Sequence, residues 1–317
     1  MIARRTLLLT ALSAPAVAQA HWPDRPVRVV VAFPPGSSTD VLVRALGAAL
    51  SPALGQPVVV ENRPGAGGNI ATSAVRRSAP DGLTFLAHSV AYAVNPSLYR
   101  NAGYDALTDM EPVALLASTP NIITANPDRL NVRTLPELIE AARTRPLDYG
   151  SSGTGTTTHL GMELLLRGLA RVEMQHVPFG PAQAVTAVVA GQVPVSSTSL
   201  PPALPLVREG RLRGIAVTSL RRDAALPDVP TVAESGFPGF EALTWFALLA
   251  PAGTPAAIAD RMNAEVNRAL GSPEMRTRLD AMGFAPDARS RPDFAAYLRT
   301  EVAKWAEVVR VSGATAE

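Results

Sequence analysis

Two stretches of this chain collect hydrogen-bond donors just ahead of a helical pattern. The first, Pro34-Pro35-Gly36-Ser37-Ser38-Thr39-Asp40, follows an apolar run at residues 27–33 and precedes a helix expected from Val41. The second covers residues 150–158, after the run 147–149 and before a helix expected from His159. Loops of this composition let backbone N–H groups and hydroxyls converge on an anion at a helix N-terminus, where unsatisfied donors and partial positive charge coincide. Capping alone needs one Ser, Thr or Asp at each place. The run Ser151-Ser152-Gly153-Thr154-Gly155-Thr156-Thr157-Thr158 exceeds that need. Neither loop contains Gly-Lys-Ser/Thr or Gly-x-Gly-x-x-Gly, and neither supplies the Lys or Arg that a phosphate recruits. The donor set therefore suits a carboxylate better than a nucleotide.

Catalytic chemistry is thinly represented. The histidines are His21, His88, His159 and His176, with no His-Glu-x-x-His pattern and no pair at helical i, i+4 spacing. His159 reads as a donor at the start of its helix or equally as a satisfied structural histidine, and His88 and His176 have no partner visible in the sequence. The absence of Cys removes thiol nucleophiles and thiolate metal ligands. No metal site and no cofactor are expected. Gly150-Ser151-Ser152-Gly153 misses a Gly-x-Ser-x-Gly elbow by one position, which keeps an exported serine hydrolase using Ser151 or Ser152 as an alternative.

The elements that must position these loops follow an α/β rhythm. Short apolar β-rich runs at 27–33, 58–60, 84–87, 113–125, 147–149, 172–176 and 212–218 alternate with helical patterns at 41–50, 70–77, 135–144, 159–169 and 182–190. Such alternation specifies a mainly parallel sheet covered by helices. Near the end, Thr254-Pro255 opens a helix with Ile258, Met262, Val266 and Leu270 on one face. A last helix over 293–309 carries Phe294, Tyr297, Leu298, Val302, Trp305 and Val309 on one stripe, a core pattern rather than a ligand cage. The length of 317 residues suits two domains or one large α/β unit, and no long Pro/Gly/Ser linker separates the halves.

Charge and the N-terminus narrow the class. The formal charge is +2, but Arg4 and Arg5 belong to a leader, leaving 27 basic against 27 acidic residues. Lys304 is the sole lysine, and no basic run interleaves with aromatics, so nucleic-acid binding is not expected. Arg4-Arg5, an apolar run over 7–17 and Ala18-Gln19-Ala20 read as a signal peptide cleaved after Ala20. The run falls short of the ~20 apolar residues that cross a bilayer. The expected product is a soluble, exported protein, free in the periplasm if it belongs to a bacterial envelope.

Taken together, several motifs resemble the Bug family, the extracytoplasmic receptors of tripartite tricarboxylate transporters. They are Phe33-Pro34-Pro35-Gly36-Ser37-Ser38-Thr39-Asp40, Val58-Val59-Val60-Glu61-Asn62-Arg63-Pro64-Gly65-Ala66-Gly67-Gly68-Asn69, Pro80-Asp81-Gly82, Asn95-Pro96-Ser97-Leu98-Tyr99, Tyr149-Gly150-Ser151-Ser152-Gly153 and Leu226-Pro227-Asp228-Val229-Pro230-Thr231. Trp245-Phe246 and Ala250-Pro251-Ala252-Gly253-Thr254-Pro255 are similar to the family's return crossing and following helix. The resemblance implies a type II periplasmic-binding-protein fold: two α/β domains closing on a solute, domain 1 over 21–118 and 245–317 and domain 2 over 119–244. It implies a monomeric receptor that captures a small organic carboxylate through loop N–H and hydroxyl groups, often with ordered water, and delivers it to membrane permease subunits. A ligand sensor partnering a signalling protein, without transport, is the other reading this family leaves open.

Carried over by position, the site residues are Phe33, Gly36, Ser37, Ser38, Thr39 and Asp40; His88 and Ser89; and Ser152, Gly153, Thr154, Gly155, Thr156, Thr157 and His159. Three departures bear on the ligand. Ser37-Ser38 stands where the family commonly has Gly-Gly, and the lysine often found near Phe179-Gly180 is missing. Ser197-Thr198-Ser199-Leu200-Pro201 stands where an Asp before Leu-Pro is common, and Thr198 is taken as the site residue there. Losing that Asp removes an acceptor for an amino group, so ligands other than amino acids are expected.

Overall fold

A computed structural model describes residues 22–316; the leader and its expected cleavage point lie outside them. The first elements are β1 (Val27–Val31), α1 (Ser38–Leu54), β2 (Val58–Asn62), α2 (Asn69–Arg76), β3 (Thr84–Ser89), α3 (Ala91–Leu98) and β4 (Met110–Ala125). There follow α4 (Leu135–Thr144), β5 (Asp148–Ser151), α5 (Thr157–Glu163), β6 (Gln175–Pro178), α6 (Pro181–Val189), β7 (Val195–Ser199), α7 (Leu200–Arg208) and β8 (Arg213–Val217). The chain ends with β9 (Leu243–Pro251), α8 (Ala256–Gly271), α9 (Pro273–Ala281), β10 (Ala285–Pro286) and α10 (Arg291–Ser312). A π-helical stretch, Leu164–Ala170, continues α5 without a break in helical backbone.

The strands lie in the order β2-β1-β3-β9-β4-β7-β5-β6, with β8 and β10 also pairing β4. Two similar halves meet along this order. In the first, β1 pairs in parallel with β2 and β3, and β9 runs antiparallel to β3. In the second, β5 pairs in parallel with β6 and β7, and β4 runs antiparallel to β7. Strand β4 belongs to both: Met110 to Pro120 pair with β9, and Asn121 to Ala125 pair with β7. The division expected at 118/119 falls inside this strand.

Side-chain alternation sends each strand's apolar residues to two cores. Val27, Val29 and Val31 of β1 join α1 and α8 on one face, through Leu42, Leu46, Met262 and Val266. Val30 and Ala32 join α3 and α10 on the other, through Tyr92, Leu98, Phe294, Leu298 and Trp305. In the second half, Ile123 and Ala125 of β4 face α4 and α5, and Ile122 faces α6 and α7. The aromatic stripe of the last helix is core: Trp305 and Trp245 both donate their indole N–H to Glu301, at 2.8 and 2.7 Å.

Both donor loops feed helices that begin earlier than their apolar pattern suggests. Ser37 caps α1 by accepting Asp40 N–H at 3.3 Å, so Ser38, Thr39 and Asp40 form the first turn. Thr156 takes the cap position of α5, so Thr157 and Thr158 are helical as well. The polar residues read as loop are thus the first-turn donors of helix starts. Elements that the sequence pattern did not show are α3, β7, α7, α9 and β10.

Candidate functional site

In each half, two parallel strands end at one cavity and hand over to a helix there. β1 leads to α1, β3 to α3, β5 to α5 and β7 to α7, so four helix N-termini face a common space. Ligands in open α/β sheets collect at the carboxyl ends of strands for this reason. In this arrangement the cavity is small, about 30 Å³. The first half contributes Phe33, Ser37, Ser38, Thr39, Ser89 and Val90, and the second contributes Ser152, Thr156, Thr157, Thr158 and Ser199. Thr244 and Phe246 of β9 complete it. Ten of these thirteen residues carry a hydroxyl, and none among the described residues lining it is charged.

The loop after β1 is anchored by a carboxylate. Asp40 accepts from Gly36 N–H at 3.0 Å, from Arg44 Nε at 2.9 Å and from Asn62 Nδ2 at 2.8 Å. Burial raises its pKa, but those bonds outweigh burial and hold it below the usual carboxylate value. The loop after β5 is anchored without charge. Thr156 Oγ1 donates to Gly153 O at 2.7 Å and lies 2.7 Å from Thr158 Oγ1, which accepts Ser152 N–H at 3.0 Å. These bonds leave Ser152 Oγ buried with no partner. The N–H groups of Ser38, Thr39, Thr157 and Thr158 meet no acceptor among the described residues, as first-turn donors do. Unpaired buried donors converging on a space without a counter-charge are suited to an anion.

The halves also touch directly across this space. Ser38 Oγ and Ser199 Oγ are 2.6 Å apart, and Thr157 Oγ1 bonds to Thr244 Oγ1. Leu98 of α3 packs on Gly155, and Leu200 of α7 packs on Gly283; an added Cβ would come within 1.9 Å and 2.8 Å of these leucines. The structure is therefore a closed one. A groove outside, lined by Gly36, Val41, Pro201 and Met282 among others, also reaches Ser38, so the Ser38–Ser199 pair stands between it and the cavity.

Of the sixteen residues singled out in the sequence, Phe33, Ser37, Ser38, Thr39, Ser89, Ser152, Thr156 and Thr157 line the cavity. Gly36, Asp40, His88, Gly153, Thr154, Gly155, His159 and Thr198 do not. Gly36 and Asp40 brace the first loop. Gly153 and Gly155 turn the second with φ of +124° and +77°, and Thr154 is half-buried between them. His159 accepts Gly155 N–H at its Nδ1, 3.1 Å away, rather than donating to the cavity. His88 is fully buried between the edges of the Phe33 and Tyr92 rings, and burial pulls its pKa down to about 4. Thr198 points away because side chains alternate along β7; its neighbour Ser199 faces the cavity. Val90, Thr158, Ser199, Thr244 and Phe246 were missed. Ser199 had a signal, since Ser before Leu200-Pro201 is a cap followed by an early proline.

Ser151 and His176 bear on the hydrolase alternative. Their Oγ and Nε2 are 2.7 Å apart, the separation of a nucleophile and its base. However, Ser151 is fully buried and does not line the cavity, whereas Ser152, which does, has no histidine partner. Burial, with His159 stacked alongside, lowers the His176 pKa to about 3, too weak a base near neutrality. No carboxylate among the described residues hydrogen-bonds His176.

Two α/β halves closing on a cavity at strand ends define a solute-binding protein of the type II periplasmic-binding-protein fold. The family model described as "Tripartite tricarboxylate transporter family receptor" matches residues 42–313, and the chain belongs to that family. Protein BugT of Bordetella pertussis is 38% identical over 313 residues, spanning 97% of this chain and 95% of BugT. The structure of R. palustris Rpa4515 with adipate superposes with a TM-score of 0.89 at 38% identity, over 93% of this chain and 99% of that one. MatC from Rhodopseudomonas palustris with bound malate gives a TM-score of 0.84 at 34% identity, over 91% of this chain and 100% of that one. The family consists of solute-binding receptors rather than enzymes.

Proposed function

We propose that this protein is a monomeric periplasmic receptor that captures a small organic carboxylate lacking an amino group and delivers it to the permease subunits of a tripartite transporter. The observation that carries this reading is the cavity wall: four helix starts and ten hydroxyl residues around a space with no charged side chain. A carboxylate finds donors there on several sides. An ammonium group finds no carboxylate, because Asp40 is turned away and already holds Arg44, Gly36 and Asn62. The adipate and malate bound by the two solved relatives support the ligand class. Residues 21–118 with 245–317, and 119–244, are the two closing domains, with β4 and β9 as the crossings. Export follows removal of residues 1–20. No reaction is performed and no cofactor is used.

A thermal-shift screen tests this on the mature chain, refolded to strip carried-over solute. Mono-, di- and tricarboxylates are compared with their amides, and succinate with aspartate. A ligand that binds only the folded state adds ~2.7 kcal/mol at a hundred times its Kd. Carboxylates raise the midpoint, while amides and aspartate do not. The reading falls if no carboxylate shifts it, or if a serine-directed fluorophosphonate labels the protein.

A further inference from the structure

The loop from β5 to α5 rests on two imidazoles. The rings of His159 and His176 stack with centroids 3.9 Å apart and planes at 19°. Each meets the loop through one ring nitrogen. Gly155 N–H points at His159 Nδ1 over 3.1 Å, and a backbone amide can only donate, so that nitrogen carries no proton. Ser151 Oγ already accepts Gly153 N–H at 3.1 Å. Ser151 Oγ lies 2.7 Å from His176 Nε2 and 3.3 Å from Gly153 O; the tautomer of His176 sets which atom of the closer pair donates, and we assign that proton to Ser151. Around the rings, Tyr149 approaches His176 at 5.1 Å and donates its hydroxyl to Glu163, which also pairs with Arg167 at 2.8 Å. That ion pair balances its own charge, and Leu98 covers Gly155 from the opposite half.

We propose that His159 and His176 are positioning residues for anion binding: as stacked neutral acceptors they fix Ser151 and Gly155, the two ends of the segment that presents Ser152 to the cavity. The proposal rests on the receptor reading above. Two glycines with positive φ give this segment conformational freedom that would otherwise have to be ordered when the anion arrives. Neither imidazole lines the cavity, so their effect passes through the loop. Burial weakens both rings as bases, which keeps the acceptors bare through the ordinary histidine range.

Four variants of the mature chain test this: His159→Asn, which keeps an acceptor near Nδ1; His176→Gln, which keeps one near Nε2; and His159→Leu and His176→Leu, which keep none. Adipate is titrated calorimetrically at neutral pH, and 15N NMR reads the ring nitrogens of the ligand-free wild type. Each Leu variant is expected to bind adipate about tenfold more weakly, while the amide variants recover most of the loss. A general loss of stability would not separate Asn from Leu in affinity. The spectrum should place the proton on Nε2 of His159 and on Nδ1 of His176. The proposal is overturned if the Leu variants bind like wild type, if the amides fail to rescue, or if His159 Nδ1 is protonated. Wild type that binds neither adipate nor any carboxylate of the thermal-shift screen sinks the receptor reading alone. The tautomers then decide the brace, as they also do if a variant does not fold.

Discussion

The two donor loops perform one geometric task with opposite electrostatics. Behind the start of α1 lies an ionised carboxylate, Asp40, tied to Arg44, Asn62 and the Gly36 amide. Behind the start of α5 lie uncharged groups: two threonine hydroxyls, Ser151 and two imidazoles. A buried charge gives stronger bonds and suits the positive end of the helix, but it needs Arg44 to offset its repulsion of an incoming anion. Neutral braces avoid that repulsion and depend instead on each group staying in one protonation state. The two loops should therefore fail under different perturbations.

The largest effect is expected from steric damage to the second loop. Gly155→Ala adds a Cβ 1.9 Å from Leu98 at a φ of +77°, straining the loop and wedging the halves apart. Backbone strain and overpacking together amount to about 3 kcal/mol, or roughly a hundredfold in affinity for a bound dicarboxylate. Isothermal titration reads the affinity, and small-angle scattering should show a more open particle at saturation. Unchanged compactness and affinity would mean that Leu98 does not govern closure.

Acid separates the loops next. His176 falls from 6.5 to about 3 and His159 is lowered too, both mainly by burial, so the unfolded chain takes up their protons first as pH drops. Their stability contribution is complete above pH 6.5 and is lost as pH falls towards the folded values. Asp40, also lowered, begins to lose its contribution only below its ordinary value of 3.8. Denaturant melts between pH 6.5 and 4 should thus show a decline of several kcal/mol, shared with buried His88 of the first half, that His176→Gln reduces and Asp40→Asn leaves in place. A decline abolished by Asp40→Asn would reverse the comparison.

At neutral pH, Asp40→Asn turns one acceptor into a donor facing Arg44, Asn62 or Gly36. A loss of about 2 kcal/mol in unfolding free energy is expected, with α1 more exposed to amide exchange. The smallest effect belongs to the contact where the loops' halves meet. Ser199 caps α7 by position, but its hydroxyl pairs with that of Ser38 instead. A double-mutant cycle with Ser38→Ala and Ser199→Ala should give a coupling of about 1 kcal/mol in carboxylate affinity. A coupling of zero would make the pair incidental.

Strand, Gly/Ser/Thr loop and helix were legible in both places because the composition of each loop names its task. Side-chain direction was not. Asp40, His88 and His159 are of the types that bind anions or donate to them, yet each is turned into the wall. Composition tells what a residue can do, whereas the rotamer and the pleat decide what it faces. The other two helix starts were hidden for different reasons. Val90 and Ala91 open α3 without a preferred cap at Val90; Ser89 Oγ reaches Ala91 N–H from one residue earlier. Strand β7 reads Val-Ser-Ser-Thr-Ser, a polar run that looks like loop. It is interior because its hydroxyls pair across the sheet and the cleft, Ser196 with Thr124 and Ser199 with Ser38.

Strand β4 runs through both halves with each face buried, Ile122 and Thr124 towards one core and Ile123 and Ala125 towards the other. A strand's faces alternate at every residue, so one codon gained or lost between 119 and 121 would exchange the two cores and carry Asn121 away from Thr244 and Ala242. Point changes in this crossing can be absorbed by repacking; a shift of length cannot. Across lineages, gene-level variation in this receptor should therefore accumulate as substitutions here and as insertions in the surface turns, with the residue count from Met110 to Ala125 held constant.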